Sequence, residues 1–336
     1  MVKYYYYSYG IAGKDEIPVT GRLKCVTTKE NRLTAIKRLA ALFTLLLASL
    51  VCADETKVIA FAQDTMDNDY RKAQVFEVRD KAAQHPQLAF VYSDAKGQTS
   101  LLIRQIERFI ARRVDVLIVG TNDADAVVPA VSEACRAGIP VIILDRGIRS
   151  DEYTVFINSD NIRIGAMGAE YIAGRLGGKG TVLLLEGLPK ADVTQLRSKG
   201  FAEQIARYPG IRVIRRTGNY LRRDTILVME KLLAEGVRFD AIFSESDSML
   251  SGVRSVMRRY QIDPSQTVMV GCDYTGEARK AILEGTQTAS IRFPLGGDRA
   301  VETALKILAG KPVPRHIVIP VELVTRENVN DVPPVF

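Results

Sequence analysis

Histidine and cysteine are scarce in this chain of 336 residues, which contains two histidines and four cysteines. A structural zinc site needs four such ligands at close spacing, and the sequence has no Cys-x-x-Cys pair. Neither His85 nor His316 follows a predicted strand at a position where it could activate a serine. We therefore expect neither a zinc site nor Ser-His-Asp chemistry, and we expect Cys135 and Cys272 to be unpaired, buried thiols.

A concentrated excess of positive charge is missing from most of the chain. The formal net charge is +7, but residues 1–53 account for five of these charges and residues 54–336 for only two. Nucleic-acid binding needs a clustered basic surface. The body of the chain therefore gives no reason to expect a nucleic-acid partner.

The apolar run Leu39–Val51 is too short for a comfortable transmembrane helix, which needs about 20 residues. It follows three basic residues, has the length of the hydrophobic part of a secretory signal, and ends in a small-residue cleavage pattern around Cys52. We predict that residues 1–53 are an N-terminal extension and a signal peptide, and that the mature protein is secreted. An uncleaved membrane anchor is the alternative. A lipoprotein attached through Cys52 is disfavoured because the bulky Val51 precedes it.

From residue 57 onward, short apolar strands alternate with helical stretches. Predicted strands at 58–62, 88–93, 114–119 and 140–144 are separated by three predicted helices. This alternation predicts a parallel sheet with helices on both faces. A second run of the same kind begins at 160, and a helix at 298–308 and a strand at 316–324 follow it. The predicted fold is therefore α/β, with two doubly wound parallel-sheet lobes.

The segment Gly138–Arg146, GIPVIILDR, carries the clearest functional signal. Its apolar run is typical of a strand buried on both faces, and it stops at an acid and a base. Ligands of open parallel sheets bind beyond the carboxyl ends of the strands, which makes Asp145 and Arg146 candidate ligand contacts. Together they offer carboxylate acceptors beside a rigid fork of donors, which suits vicinal hydroxyl groups. A surface ion pair is the alternative interpretation.

Polar and aromatic residues follow other predicted strands as well. After the first strand, Asp64, Asn68 and Tyr70 combine an acid, an amide and a ring that can stack on the C–H face of a sugar. The alternative is a turn whose Asp or Asn caps the next helix. In the second run, Asp273 and Arg292 follow their strands much as Asp145 follows its own. Further candidates at helix starts and strand ends are Gln195, Arg197 and Tyr220.

Glycoside cleavage by paired carboxylates is the enzymatic alternative. Three acids and two arginines are predicted to meet in one crevice: Asp64, Asp145, Asp273, Arg146 and Arg292. In such a mixture the acids and arginines neutralise each other, which suits the binding of a polyhydroxyl ligand. A glycosidase instead needs one carboxyl group with a raised pKa and one with a normal pKa. We therefore expect a binding protein that is not an enzyme and that needs no cofactor. Residues 245–247 follow another strand, and Asp247 has the alternative role of a helix cap.

The body of the chain, about residues 57–330, resembles the type I periplasmic sugar-binding proteins of ABC importers, the ribose-binding group. The combination of IPVIILDR with SDNIRIG is the most specific part of the likeness. Other matching segments are VIAFAQDTMDNDY, VDVLIVGTNDADAV, FSESDSMLSGV and VMVGCDYTGEARKAI. The resemblance implies two Rossmann-like lobes joined by three crossing strands near 159, 292–293 and 319–320. The lobes would then be 54–158 plus 293–319, and 159–292 plus 320–336.

The same resemblance implies a function. The protein would bind a small polyhydroxylated ligand between closing lobes in the periplasm, as a monomer, and deliver it to an ABC permease in the inner membrane. A periplasmic sensor feeding a chemoreceptor or a histidine kinase is the alternative. A transcriptional repressor of this fold would need an N-terminal helix-turn-helix, and an apolar leader stands at that place.

Matching positions one at a time, the resemblance implies a set of ligand contacts that departs from the pentose-binding pattern. Asp64 stands where a small hydroxyl is common, Arg71 replaces a second aromatic, and Arg292 stands where a glutamine is common. These changes favour a ligand decorated differently from ribose, such as a hexose, a sugar alcohol, an amino sugar or a sugar acid. The implied contacts are Asp64, Asn68, Tyr70, Asp145, Arg146, Gln195, Tyr220, Ser246, Asp273 and Arg292, with Arg197 close by.

Overall fold

The computed structural model describes residues 56–336, so the predicted signal region at 1–53 lies outside the described residues. The strands are β1 (Lys57–Gln63), β2 (Leu88–Asp94), β3 (Val116–Gly120), β4 (Val141–Leu144), β5 (Val155–Asn158), β6 (Lys179–Glu186), β7 (Gly210–Thr217), β8 (Ala241–Ser244), β9 (Val268–Asp273), β10 (Ala289–Arg292), β11 (His316–Val318) and β12 (Glu322–Thr325). The helices are α1 (Asp69–Ala82), α2 (Thr99–Ala111), α3 (Val128–Arg136), α4 (Asn161–Arg175), α5 (Asp192–Ile205), α6 (Arg222–Ala234), α7 (Asp247–Arg259), α8 (Gly276–Leu283) and α9 (Gly297–Leu308).

Within residues 56–336 the strands form two six-stranded sheets. The N-terminal sheet has the order β11-β5-β4-β3-β1-β2, and the C-terminal sheet has the order β12-β10-β9-β8-β6-β7. All pairings in the N-terminal sheet are parallel, and in the C-terminal sheet the edge strand β12 pairs antiparallel with β10. The predicted α/β fold with two doubly wound sheets is confirmed.

Each sheet is covered by helices on both faces, as its apolar strands require. Strands β3, β4 and β8 are buried at every position, which explains their lack of alternating polar residues. One face of the N-terminal sheet packs against α2 and α3, and the other packs against α1 and α9. The C-terminal sheet packs against α4 and α5 on one face and against α6 and α7 on the other.

The chain passes between the two sheets three times. It leaves the N-terminal sheet after β5, returns after β10 so that α9 packs against α1, and leaves again between β11 and β12. These passages coincide with the crossings expected near 159, 292–293 and 319–320. The division into lobes at those residues stays a prediction.

Several local expectations were wrong. The single strand predicted at 316–324 is two strands in different sheets, because the chain crosses between the sheets around Pro320, which cannot donate to a ladder. The sequence pattern also predicts a helix over 125–137 with Asp123 or Asp125 as its cap, but the helix begins at Val128 and neither acid caps it. Asp123 Oδ1 instead accepts from the N–H groups of Asp125 and Ala126 in the preceding turn. Strand β5 was missing from the predicted alternation.

The two cysteines among the described residues are free. Cys272 is buried within β9, as expected, whereas Cys135 is only half-buried at the end of α3. Cys25 and Cys52 lie outside the described residues. Across 56–336, every helix is too short or too polar to be a membrane span.

Candidate ligand-binding site between the two sheets

A small cavity, here called the inter-sheet cavity, lies between the carboxyl ends of the two sheets. Its volume is ≈ 20 Å³, far below the ~300 Å³ at the lower end of typical small-molecule sites, so the walls must move apart to admit a ligand of sugar size. Its walls come from the start of α1, the end of β4, the start of α5 and the segments that follow β7, β8, β9 and β10. The lining residues are Asn68, Tyr70, Asp145, Arg146, Val193, Arg197, Tyr220, Ser246, Asp273 and Phe293.

A chain of alternating charges backs the cavity on the side of the N-terminal sheet. Arg146 Nη1 lies 3.0 Å from Asp64 Oδ2, and Arg71 Nε lies 3.3 Å from Asp64 Oδ1. Arg71 Nη1 lies 2.8 Å from Asp145 Oδ2. All four side chains are at most 6% exposed. Such burial is compatible with ionised groups only because each charge has an opposite neighbour.

The two members of this chain that line the cavity keep unused hydrogen-bonding capacity. Asp145 Oδ1 and Arg146 Nε are buried, and neither has a partner within residues 56–336. The backbone of Asp145 has a φ of 69°, and that of Asp273 at the end of β9 has a φ of 110°. Non-glycine residues in such conformations cost about 1–3 kcal/mol each, so the fold holds both carboxyl groups at the strand ends against backbone strain.

The opposite wall, from the C-terminal sheet, is built differently. Arg197 donates from Nε to Asn161 Oδ1 at 2.8 Å and from Nη1 to the carbonyl oxygen of Glu245 at 2.7 Å. Asp273 is 3% exposed and forms no ion pair with any cation of the described part of the chain. Burial and the neighbouring Asp247 carboxyl hold the pKa of Asp273 well above its usual range. This wall therefore presents a fixed cation beside an acid that lacks a counterion.

Three aromatic rings complete the cavity. Tyr70 stacks on Phe293 with ring centroids 5.2 Å apart, and its hydroxyl donates to the carbonyl oxygen of Pro294 at 2.8 Å. The guanidinium of Arg146 lies 5.2 Å from the Tyr220 ring, and that of Arg197 lies 4.5 Å from the Phe293 ring. The rings thus combine apolar faces with cations held close to them.

Hydrogen bonds join the two walls directly, so the sheets are closed over the cavity. Asn68 Nδ2 donates to the carbonyl oxygen of Tyr220 at 2.7 Å, and the N–H of Gly147 donates to Asp192 Oδ2 at 2.8 Å. Burial raises the pKa of Asp192 to about 6. Asn68 also caps α1, since its Oδ1 accepts from the N–H of Arg71. Asn68 therefore caps α1 and also lines the cavity, and its contact with a ligand stays a prediction.

Three predicted site residues do not line the cavity. Asp64 lies behind it and contacts Arg146 and Arg71. Gln195 is exposed, and its side chain donates to the carbonyl oxygen of Pro189. Arg292 is 31% exposed, with its guanidinium 3.9 Å from Glu322.

Helix and strand geometry explain the last two placements. Val193 and Arg197 are four residues apart on α5 and share the face towards the cavity, so Gln195 between them lies on the opposite face. Phe293 lines the cavity, and successive side chains of extended chain alternate, so Arg292 faces away.

Sequence reasoning missed Val193, Phe293 and the partners of Arg71. The four-residue spacing to Arg197 is a signal that could have found Val193. The predicted alternative in which Asp247 caps its helix was wrong, because Ser246 is the cap and accepts from the N–H of Met249. Asp247 instead accepts from Ser290, from Gln287 and from the N–H of Tyr274, three groups brought to it by the sheet.

Comparisons with known proteins agree with this architecture. The family model described as a periplasmic binding protein domain matches residues 59–312. A ribose import binding protein of Haemophilus influenzae is 30% identical over 297 residues, which cover 88% of this chain and 99% of that protein.

Two solved structures are similar over most of their length. A fructose-binding periplasmic domain of a hybrid two-component system has a TM-score of 0.77 and 29% identity, covering 82% of this chain and 92% of that one. A solute-binding protein of Bacillus halodurans with bound myo-inositol has a TM-score of 0.79 and 27% identity, covering 83% and 98%. With two doubly wound sheets closed over a polar cavity, and with matches along almost the whole described chain, this protein belongs to the periplasmic binding protein family.

Proposed function

We propose that this protein is the solute-binding component of an ABC importer and holds one small sugar or polyol in the inter-sheet cavity. The observation that carries the proposal is that each wall contributes both an acid and an arginine to the cavity lining, Asp145 and Arg146 on one wall and Asp273 and Arg197 on the other. Carboxylates accept hydrogen bonds from hydroxyl groups, and guanidinium groups donate to hydroxyl and ring oxygens. The rings of Tyr70, Tyr220 and Phe293 can cover the C–H faces of such a ligand.

The compounds named with the similar proteins support this ligand class. Ribose, fructose and myo-inositol are all small, polyhydroxylated and uncharged. The unpartnered Asp145 Oδ1 and Arg146 Nε offer an acceptor and a donor on two side chains that line the cavity. A ring carrying adjacent hydroxyl groups can use both at once.

Titration calorimetry of the purified protein against D-ribose, D-fructose, myo-inositol and xylitol tests the proposal. We expect saturable heat with at least one of these ligands and a rise in Tm, since a ligand at 100 times its Kd stabilises the folded state by about 2.7 kcal/mol. Gln195→Ala is the matched control, because that side chain is exposed outside the cavity, and it should bind as the wild type does. Absence of heat and of any Tm shift across the panel would contradict the proposal.

Closure over the ligand is the proposed mechanism of capture. The lobes 54–158 plus 293–319 and 159–292 plus 320–336 would rotate about the three passages between the sheets. Small-angle scattering should then show a smaller radius of gyration when the ligand is added. An unchanged radius with bound ligand would count against hinge closure.

We also propose that residues 1–53 direct secretion and are removed, and that the mature protein acts as a monomer in the periplasm. Mass spectrometry of the secreted form should show loss of the apolar run at 39–51. Light scattering at micromolar concentration should give the mass of one chain. A full-length mass, or a dimer mass, would contradict the corresponding part of this proposal.

A sensor role is the second candidate, favoured by the likeness to a periplasmic domain of a hybrid two-component system. Uptake of radiolabelled ligand by a strain that lacks the gene separates the two roles. An importer component should be required for uptake at low ligand concentration. Intact uptake combined with a lost transcriptional or chemotactic response would favour the sensor.

A further inference from the structure

Asp64 and Arg71 lie directly behind the inter-sheet cavity without lining it, each 1% exposed. We propose that Asp64 and Arg71 form a positioning pair, which does not touch the ligand and holds Asp145 and Arg146 in the orientation that binding requires. The inference rests on the proposed function, because it assigns a role to residues that act on the ligand through others.

Three hydrogen bonds and an ion pair hold the guanidinium of Arg71 against fixed protein groups. Its Nη1 contacts Asp145 Oδ2 at 2.8 Å and Gln74 Oε1 at 3.1 Å, and its Nη2 donates to the carbonyl oxygen of Thr121 at 3.1 Å. Its Nε faces Asp64 Oδ1 at 3.3 Å. Burial alone would lower the pKa of Arg71, but Asp64 and Asp145 raise it above the ordinary value. These contacts hold the Arg71 guanidinium behind the cavity lining.

The carboxylate of Asp64 sets the direction of Arg146. Its Oδ2 lies 3.0 Å from Arg146 Nη1, the shortest contact of that guanidinium, and the next contact is the carbonyl oxygen of Thr121 at 3.5 Å. The backbone N–H of Asp64 donates to the carbonyl oxygen of Gly120, and its carbonyl oxygen accepts from the N–H of Gly97. These bonds fix the backbone from which the carboxylate extends. With Nη1 held in this way, Nε of Arg146 remains for the ligand.

Asp64 and Arg71 neutralise each other, so their loss should not be additive. Removal of Arg71 alone leaves Asp64 and Asp145 as two buried carboxylates that share one cation, Arg146. Removal of Asp64 as well leaves Asp145 and Arg146 as one acid and one base, adjacent in the chain. The second substitution should therefore relieve part of the damage done by the first.

A double-mutant cycle of Arg71→Met and Asp64→Asn tests the pair by calorimetry with D-ribose, D-fructose and myo-inositol. We expect Arg71→Met to raise Kd by at least about 100-fold, and the double variant to bind at least about tenfold more tightly than Arg71→Met. The calorimetric stoichiometry measures the fraction of the protein that is folded and able to bind, and Kd measures the ligand affinity of that fraction. Additive effects on log Kd, as expected of packing alone, would overturn the proposal.

Two further variants distinguish a specific effect on ligand affinity from a general loss of the folded structure. Arg71→Lys keeps the charge but lacks the planar fork that reaches both carboxylates, so we expect a folded protein with Kd raised about tenfold. Arg254→Met is the matched control, since Arg254 is 2% exposed and its partners Glu277 and Gln287 do not line the cavity. It should lower Tm and leave Kd within about threefold of wild type.

Crystal structures of the ligand-free variants test the positioning pair even if the proposed function is wrong, because they show the side-chain positions without any ligand. If the wild type binds none of D-ribose, D-fructose, myo-inositol and xylitol, the proposed function fails. The positioning pair is then judged by whether Arg71→Met displaces the Asp145 carboxylate or the Arg146 guanidinium. Unchanged positions of both groups would overturn it, whatever the ligand is.

Discussion

The two walls of the inter-sheet cavity carry the same kinds of residue in different electrostatic states. On the side of the N-terminal sheet, Asp145 and Arg146 are held in a chain of ion pairs of 2.8–3.3 Å before any ligand arrives. On the side of the C-terminal sheet, Arg197 is fixed by Asn161 and a carbonyl oxygen, and Asp273 has no ion-pair partner among residues 56–336.

The difference favours the proposal that one wall is preorganised and that the other is completed by the ligand. A buried acid without a counterion is costly, as the raised pKa of Asp273 indicates. On this proposal, ligand hydroxyl groups that donate to Asp273 would offset the cost only when the walls are closed around them, which would link ligand binding to closure.

Asp145→Ala should produce the largest effect, because it breaks the preorganised wall. It removes the proposed ligand acceptor and leaves Arg71 with one carboxylate instead of two. Breaking a buried ion pair from one side typically costs about 3–5 kcal/mol of unfolding free energy. We expect that loss in chemical denaturation, together with a Kd raised by about 100-fold or more in calorimetry.

Asp80→Ala is the control for this variant, since Asp80 forms an exposed pair with Arg79 and such pairs contribute about 0–1 kcal/mol. An unchanged free energy of unfolding in Asp145→Ala would contradict the claim that ion pairs preorganise the wall on the side of the N-terminal sheet.

Asp273→Asn should weaken binding while stabilising the ligand-free protein at neutral pH. A hydrogen bond to a charged group contributes about 1.5–3 kcal/mol, so Kd should rise by about 10- to 100-fold. The unfolded-state pKa of aspartate is about 3.9, and the folded-state pKa of Asp273 is raised. Wild-type stability is therefore lost as pH rises from about 4 towards the folded-state pKa, and asparagine does not share this loss.

Denaturation of both proteins between pH 3.5 and 7 measures this effect, with pH values chosen to span the unfolded-state pKa of about 3.9. The two free energies of unfolding should coincide at the acidic end, and the variant should be more stable at pH 7 by at least about 1.4 kcal/mol, the equivalent of one pKa unit. A variant less stable than wild type at pH 7 would show that Asp273 is already satisfied without ligand.

Asp192→Ala should have the smallest effect, because it removes one hydrogen bond between the walls and no lining residue. The bond to the N–H of Gly147 is worth about 1 kcal/mol, which predicts a Kd about fivefold weaker through a less favoured closed state. Gln195→Ala, on the same helix but on its exposed face, should change Kd less than twofold. Equal effects of the two substitutions would show that the Asp192 bond does not contribute to closure.

Much of the site was predictable because strand ends are visible in the sequence. The apolar run of β4 ends at Asp145 and Arg146, and the run of β9 ends at Asp273, and all three line the cavity. Gln195 and Arg292 were grouped with them by their position along the chain, but the phase of a helix and the alternation of a strand turn both side chains away.

The amino-acid sequence by itself determined the α/β fold, the two doubly wound sheets and the strand ends at which polar residues collect, because these follow from local periodicity. Only the tertiary structure decided which of those polar residues meet. The ion pairs of Arg71 with Asp64 and Asp145 join different elements of the N-terminal sheet, and the lack of a counterion at Asp273 depends on what every neighbouring element brings near it. Such pairings depend on the packing of segments far apart in the chain, which no local pattern encodes.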